Sequence, residues 1–218
     1  KIQDINLSWN LGMGEYRTFF SNSNPINKYL NYFQSNIIGK PIKLPFHDIR
    51  YFNKPYLQRN YDIISCFGSH DNGNNIVQHH RSQTSQVVKK MKNKYLTING
   101  FFSIGKYYNY LQNSKFALSP FGWGAICWKD FEIILNGSLL LKPNMNHINS
   151  WPEFFIEGKT YVSYKWDSSD LQEKIEQLIC NPKFCEKIII QSQKRFKDYN
   201  ILNNSEPFVK RFKKIFGT

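Results

Sequence analysis

The segment from Ser114 to Pro143, SKFALSPFGWGAICWKDFEIILNGSLLLKP, constrains this chain more than any other. It holds two apolar runs too short for helices, around Phe116 to Leu118 and Ser138 to Leu141. Between them lie a Gly-rich turn from Pro120 to Gly124 and a helical pattern from about Ala125 to Asn136, which stops at Gly137. In that helix Cys127, Phe131, Ile134 and Leu135 recur at i, i+4, i+7 and i+8, a stripe suited to a core, while Ala125, Lys129, Glu132 and Asn136 share another face. The segment is therefore predicted to be strand, turn, helix, strand. Gly122 and Gly124 let a ligand come close to the backbone, and the N–H groups opening the helix attract anionic oxygens, an attraction that Lys129 reinforces. Glu132, one turn along, is placed to accept hydrogen bonds from ribose hydroxyls. An ordinary strand-turn-helix with a solvated Lys and Glu fits the same residues, because Gly-rich turns alone are a weak signal.

Similar alternation runs from Tyr61 onward. YDIISCFGSH reads as a buried parallel strand running into a loop, QHHRSQTSQVVKKMKN as a helix with His80, Thr84, Val87 and Met91 inward, YLTINGFF as a second strand and GKYYNYLQNS as a short helix. TYVSYKW supplies a fifth strand. Strands alternating with helices predict a doubly wound parallel sheet, whose ligands sit beyond the carboxyl ends of the strands. Three loops lie there: Gly68 to Asn74, Asn99 to Phe102, and Pro120 to Gly124. Arg81 stands in the first turn of its helix, where the dipole opposes a cation unless an anion is close, so it is a candidate phosphate or sugar contact as well as a candidate surface arginine. His79 and His80 fit either a base or a buried ring bonded to backbone. Lys142, Asn144, Met145 and His147 follow a strand end and are candidates for sugar or base contact, in a loop expected to contain a short helix. Ser169 with Gln172 spells a capping box ahead of a helix with Leu171, Ile175, Leu178 and Ile179 inward. Asn181 then caps a helix starting at Pro182, with Phe184, Ile188 and Phe196 inward.

The blocks SPFGWG, KDFEIILNGSLLLKP and YVSYKWDSSDLQEKI resemble the donor-binding half of GT-B glycosyltransferases, most nearly the exostosin-like, CAP10-like and bacterial group 1 enzymes. The resemblance covers roughly Tyr61 to Tyr199. It implies a Rossmann-like parallel sheet with flanking helices, with Gly68, Phe121, Gly122, Trp123, Gly124, Lys129, Glu132 and Lys142 holding the donor, Glu132 on the ribose and Lys129 and Arg81 on the diphosphate. No cofactor is implied beyond the nucleotide sugar itself, such as a UDP- or GDP-sugar, and no metal, since no DxD motif stands in a convincing context. Many retaining members carry an additional Glu near the helix start, where this chain has Gly124 and Ala125, so stereochemistry is not readable here. His47 beside Asp48 is a candidate base for an acceptor hydroxyl, or part of a polar loop.

A chain of 218 residues suits one domain with an extra lobe rather than the two complete domains of a GT-B enzyme. The expected division is 1–60 as an N-terminal lobe or remnant of an acceptor domain, 61–200 as the nucleotide-sugar domain, and 201–218 as a basic amphipathic helix. Because the chain begins at Lys1, a missing acceptor half is part of that expectation. The last helix places Phe208, Phe212, Ile215 and Phe216 on one face among Lys210, Arg211, Lys213 and Lys214; bracing another lobe is the preferred use, an anionic membrane surface the other. Net charge is +13, from 29 basic against 16 acidic residues, which favours polyanions, phosphorylated substrates or anionic membranes, although an AT-rich genome also produces such a composition. Nucleic acid is not the expected partner, because the aromatics follow core periodicity. Four cysteines without metal-ligand or disulfide-framework spacing favour a reduced, cytoplasmic setting, and no apolar run is long enough to span a bilayer. The leading expectation is transfer of a sugar from a nucleotide donor to a glycan or other hydroxyl acceptor, in surface polysaccharide or glycoprotein glycan synthesis. The alternative is a module that binds nucleotide sugars or polyanions without catalysis.

Overall fold

The computed structural model describes residues 51–68, 75–122, 124–199 and 206–216. Five strands form one wholly parallel sheet: β1 (Tyr61–Ser65), β2 (Thr97–Asn99), β3 (Ser114–Leu118), β4 (Leu139–Pro143) and β5 (Val162–Tyr164). Their order across the sheet is β2-β1-β3-β4-β5. The register pairs Ile64 of β1 with Ile98 on one side and with Ala117 of β3 on the other. Helices α1 (Ile76–Met91), α2 (Ile104–Asn113) and α3 (Trp128–Leu135) make the three successive crossovers. Helices α4 (Leu171–Ile179) and α5 (Pro182–Tyr199) follow β5. The chain leaves β1 toward β2, then returns to place β3 on the opposite side of β1. The strand order reverses between β1 and β3, the point at which open α/β sheets bind ligands.

Strands covered on both faces read as continuous apolar runs, and β4, LLLKP, is buried at all five positions. One core gathers Ile63, Phe116, Leu118, Leu139 and Leu141 with Val88 and Met91 of α1, Leu171, Ile175 and Leu178 of α4, and Cys185 and Ile188 of α5. All five expected strands form, and so does the Asn181 cap, whose Oδ1 accepts from the Phe184 N–H at 3.2 Å.

Several local expectations are corrected. The buried residues of α1 are Val77, Thr84, Val88 and Met91, with Val87 partly buried against the same core and His80 turned to the cleft side. The Ser169–Gln172 capping box does not form: α4 begins at Leu171 behind Asp170, whose carboxylate accepts from Lys165 N–H at 2.7 Å, while the Gln172 amide turns to Glu176. Phe184 is 37% exposed, because α5 buries Cys185, Ile188 and Ile189 instead. No helix forms between β4 and β5.

Segment 51–60, expected to belong with the N-terminal lobe, packs on the sheet domain. Tyr56 is 2% exposed and edge-on to Phe116. The buried Arg59 guanidinium donates to the carbonyls of Gln112 (3.2 Å) and Ser114 (3.1 Å), where α2 hands over to β3, and to Lys54 at 3.0 Å. Burial pushes Arg59 down to about 10. The chain divides into two compact units, one comprising Tyr51–Asn149 and Glu153–Lys197. In the other the described residues include Ser150–Pro152 and helix α6 (Glu206–Phe216), whose Arg211 guanidinium lies 4.8 Å from the centre of the Trp151 ring. Among the described residues no helix is long and apolar enough to cross a membrane.

Gly137 ends α3 at φ +74, and a Cβ there would stand 2.3 Å from the Phe52 carbonyl oxygen. Both the left-handed backbone and the close approach require glycine. Gly137→Ala is expected to lower unfolding free energy by roughly 2–4 kcal/mol. Urea denaturation reads this directly, and an unchanged midpoint would contradict the packing described.

Candidate functional site

Two loops meet where the strand order reverses. One leaves β1 through Cys66, Phe67 and Gly68; the other leaves β3 at Ser119 and reaches α3. Arg81, projecting from α1, binds both: its Nε donates to the Phe121 carbonyl at 3.1 Å and its Nη1 to the Gly68 carbonyl at 3.3 Å. Lys129, in the first turn of α3, donates to the Cys66 carbonyl, and its Nζ lies 5.5 Å from the centre of the Phe67 ring. A Cβ on Gly122 would sit 3.0 Å from Arg81 Nη2, so the guanidinium passes close against the glycine and would have to give way to a side chain there. The third loop reaches the same place, since Phe101 of the β2 exit is the neighbour that a Cβ on Gly68 would touch, at 3.5 Å.

Burial lowers the pKa of Lys129; the nearby Arg81 charge lowers it further, while Cys127, Cys66 and Glu132 work in the opposite direction. Among the described residues neither Arg81 nor Lys129 takes part in an ion pair. Two mutually repelling cations are thus held at the sheet edge by carbonyl oxygens, with the Phe67 ring beside Lys129. An anion bound there would relieve the repulsion.

The start of α3 is already occupied by a carboxylate. Asp130 accepts from Cys127 N–H at 3.0 Å, from Ser119 Oγ at 2.6 Å and from Lys142 Nζ at 3.0 Å. Asp130 and Lys142 are each 0% exposed. Two expectations change in consequence. The helix dipole meets Asp130 first, so attraction for an external anion falls to Arg81 and Lys129. Lys142, expected to touch the donor, is instead an internal brace, its ammonium 5.1 Å from the centre of the Phe121 ring. Asp130 itself was missed; its signal is a capping-box spacing, Cys127-x-x-Asp130, concealed because the cap is a cysteine.

Glu132 lies on the side facing α2 and is only 9% exposed, not solvated. Its Oε1 accepts from Tyr108 Oη at 3.0 Å and Trp128 Nε1 at 2.8 Å, which fixes its orientation. Adjacent to Tyr108, Tyr107 has a buried hydroxyl that makes no hydrogen bond among the described residues, and burial followed by the Glu132 charge pushes its pKa well up. That side of the loop therefore retains polar capacity.

On the other side opens a cleft of about 470 Å³, lined by Ile76 and His80 of α1, Phe121 and Gly122, His147 beyond β4 and Trp166 beyond β5. Gly124 also lines it, and its carbonyl accepts from Gly122 N–H at 3.3 Å to close the turn. His80 stacks on Phe121 with ring centres 5.6 Å apart. Burial lowers its pKa, only partly opposed by a hydrogen bond with the Trp166 backbone. Of the expected site residues, Gly68, Arg81, Phe121, Gly122 and Lys129 come together. Gly124 borders the adjoining cleft, Glu132 stands on the α2 side, and His47 and Trp123 lie outside the described residues.

Neither a protein-family model nor a curated protein matches this sequence. Solved structures do match its fold. TarM superposes with a TM-score of 0.53 at 10% identity, over 78% of this chain and 38% of that one. The C-terminal domain of a group 1 glycosyl transferase, LpcC of Francisella tularensis, gives 0.49 at 13% identity over 70% of this chain and 96% of that domain. Alr3699/HepE of Anabaena in complex with UDP-glucose gives 0.47 at 10% identity, over 70% and 49%. The chain thus spans well under half the length of TarM. At fold level its neighbours include glycosyltransferases.

Replacing Asp130 by Asn leaves the Lys142 cation buried without its counter-charge, and is expected to cost about 3–5 kcal/mol. Ser119→Ala, which removes one neutral donor to the same carboxylate, is expected to cost about 1–3 kcal/mol. Chemical denaturation of the two variants beside the parent protein ranks them, and equal losses would show that the charge pair is not what holds the loop.

Proposed function

We propose that the chain is the donor-binding part of a glycosyltransferase that moves a sugar from a nucleotide sugar to a hydroxyl acceptor. The observation that supports this reading is the convergence of Arg81 and Lys129, from two different helices, on the loops at the strand-order reversal. During transfer the bond from the anomeric carbon to the phosphate oxygen breaks, the electron pair stays with the nucleoside diphosphate, and the acceptor oxygen bonds to the carbon. Arg81 and Lys129 face the charge that grows on the leaving diphosphate, and as preorganised donors they lower the barrier. Glu132, already oriented by Trp128 and Tyr108, accepts from the ribose hydroxyls. Protein cations take the part of a divalent metal in this scheme. The acceptor proton goes to a base outside these loops, for which His47 remains the candidate. The finer assignment is to the exostosin-like, CAP10-like or group 1 enzymes, with a UDP- or GDP-sugar as donor, a surface or glycoprotein glycan as product, and a cytoplasmic or peripheral membrane setting. A second reading, favoured by the net charge of +13, is a non-catalytic nucleotide-sugar or polyanion binding module of a larger protein.

Calorimetric titration with UDP, GDP and CMP tests the site. Arg81→Ala and Lys129→Ala are each expected to weaken the preferred nucleoside diphosphate by about 10–100-fold, in keeping with a charged hydrogen bond of about 1.5–3 kcal/mol. Glu132→Ala is expected to weaken the nucleotide but not inorganic pyrophosphate. Full affinity in the Arg81 and Lys129 variants would contradict the proposal. Turnover of the matching nucleotide sugar distinguishes enzyme from module.

The lowered pKa of Lys129 adds a pH signature. Deprotonation removes one attracting charge, so nucleotide affinity is expected to fall as pH rises, beginning below the ordinary lysine value of about 10.4. Lys129→Arg is expected to remove the decline, and a profile unaffected by that substitution would assign it elsewhere.

A further inference from the structure

Helix α5 turns to solvent a row of lysines for which the nucleotide reading has no use. Its buried residues, Cys185, Ile188, Ile189, Ser192, Gln193 and Phe196, fix the side that faces the core. On the opposite side Lys183, Lys187, Ile190, Lys194 and Lys197 are all exposed. At 3.6 residues per turn these five fall within an arc of about 80° and extend over about 21 Å of helix. The result is a straight basic stripe with one isoleucine, 62% exposed, at its centre.

The stripe is electrostatically unfavourable to the helix that bears it. Lys183 stands in the first turn, where the dipole opposes a cation, and no acidic residue accompanies it there. Lys183 and Lys187 are one turn apart, as are Lys194 and Lys197, and like charges at that spacing repel. The two acids of α5 do little to offset this: Glu186 accepts from the Tyr56 N–H at 2.9 Å, and Asp198 lies at the far end of the helix, one turn from Lys194. Among the described residues Lys183, Lys187 and Lys197 take part in no ion pair. An anionic partner relieves these repulsions together.

The composition of the stripe bears on what that partner is. Single-stranded nucleic acid stacks its bases on aromatic rings, and the stripe contains none. A second copy of this chain, at net charge +13, brings charge of the same sign. Ile190 offers nothing to a soluble chain of phosphates or sulfates. At a bilayer it enters the boundary between headgroups and acyl chains, while the long lysine side chains around it reach the phosphates. Helix α6, taken by itself, repeats the combination, with Val209 and Phe212 exposed among Lys210, Lys213 and Lys214.

We infer that the exposed face of α5 docks on an anionic lipid bilayer, its lysines on headgroup phosphates and Ile190 inserted between them. None of these residues belongs to the edge held by Arg81 and Lys129, so the inference stands apart from the proposed function.

Cosedimentation with phosphatidylcholine vesicles, with and without phosphatidylglycerol, tests the surface. The parent chain is expected to bind only the mixed vesicles, and added salt is expected to release it. Replacing Lys183, Lys187 and Lys197 together by Gln is expected to weaken binding about 100-fold, from about fivefold for each lysine near an anionic surface. Ile190→Ser is expected to weaken it about tenfold, and Ile190→Trp to add emission that brominated acyl chains quench. UDP affinity and the far-ultraviolet circular dichroism of every variant are expected to match the parent, so failure here and failure of the nucleotide site are read separately. The inference is overturned if mixed vesicles do not bind, if both vesicle types bind equally, or if the triple variant binds like the parent. It is also overturned if Ile190→Ser has no effect while oligodeoxythymidine displaces the vesicles, which marks a soluble polyanion as the partner.

Discussion

A single carboxylate at the mouth of the sheet organises everything around it. Asp130 ties together the end of β3 through Ser119, the start of α3 through the Cys127 N–H, and the carboxyl end of β4 through Lys142. Such a pair gains little over well-packed apolar residues, but losing either partner leaves a charge buried alone. Its geometry therefore locks the turn after β3 into one arrangement. That arrangement places the Phe121 carbonyl where Arg81 reaches it, and starts α3 so that Lys129 faces the β1 loop.

The consequence is a division of labour among cations that look alike in sequence. Lys142 is neutralised internally. Arg81 and Lys129 are held by carbonyl oxygens, which orient them without cancelling their charge, and burial makes the charge of Lys129 costly. A site that keeps positive charge under mutual repulsion is biased toward binding an anion. On one flank stands the oriented carboxylate of Glu132, on the other the aromatic corner of Trp166, Phe121 and His147. A nucleoside diphosphate matches the first flank and the centre: a hydroxylated ribose beside an anionic linker.

How far the sequence foretold this varies with the kind of interaction. Strands were legible because a strand covered on both faces must be apolar throughout, as LLL in β4 is. The convergence of Gly68, Phe121 and Gly122 followed from the parallel sheet, whose loops share one edge. The environment of α3 was not legible from its own periodicity. Asn136 and Glu132 fall on the face that amphipathic reasoning assigns to solvent, yet α2 covers it, with Gln112 bonded to Asn136 at 2.9 Å and Tyr108 to Glu132. The fate of Lys142 was hidden for a related reason, since its partner belongs to a preceding helix and only the fold brings them together. The Ser169 cap failed for a local reason, because Asp170 is used by the Lys165 N–H and the helix begins one residue beyond.

The central claim is that a diphosphate binds at the β1/β3 edge between Arg81 and Lys129. The most direct measurement is amide chemical-shift mapping of isotope-labelled protein during titration with UDP. Saturable shifts at Gly68, Gly122, Trp128 and Lys129, abolished together in an Arg81→Ala, Lys129→Ala double variant that retains the dispersed spectrum of the parent, are the result this account predicts. Saturable binding that leaves those four amides unmoved, or that survives in the double variant, would contradict it.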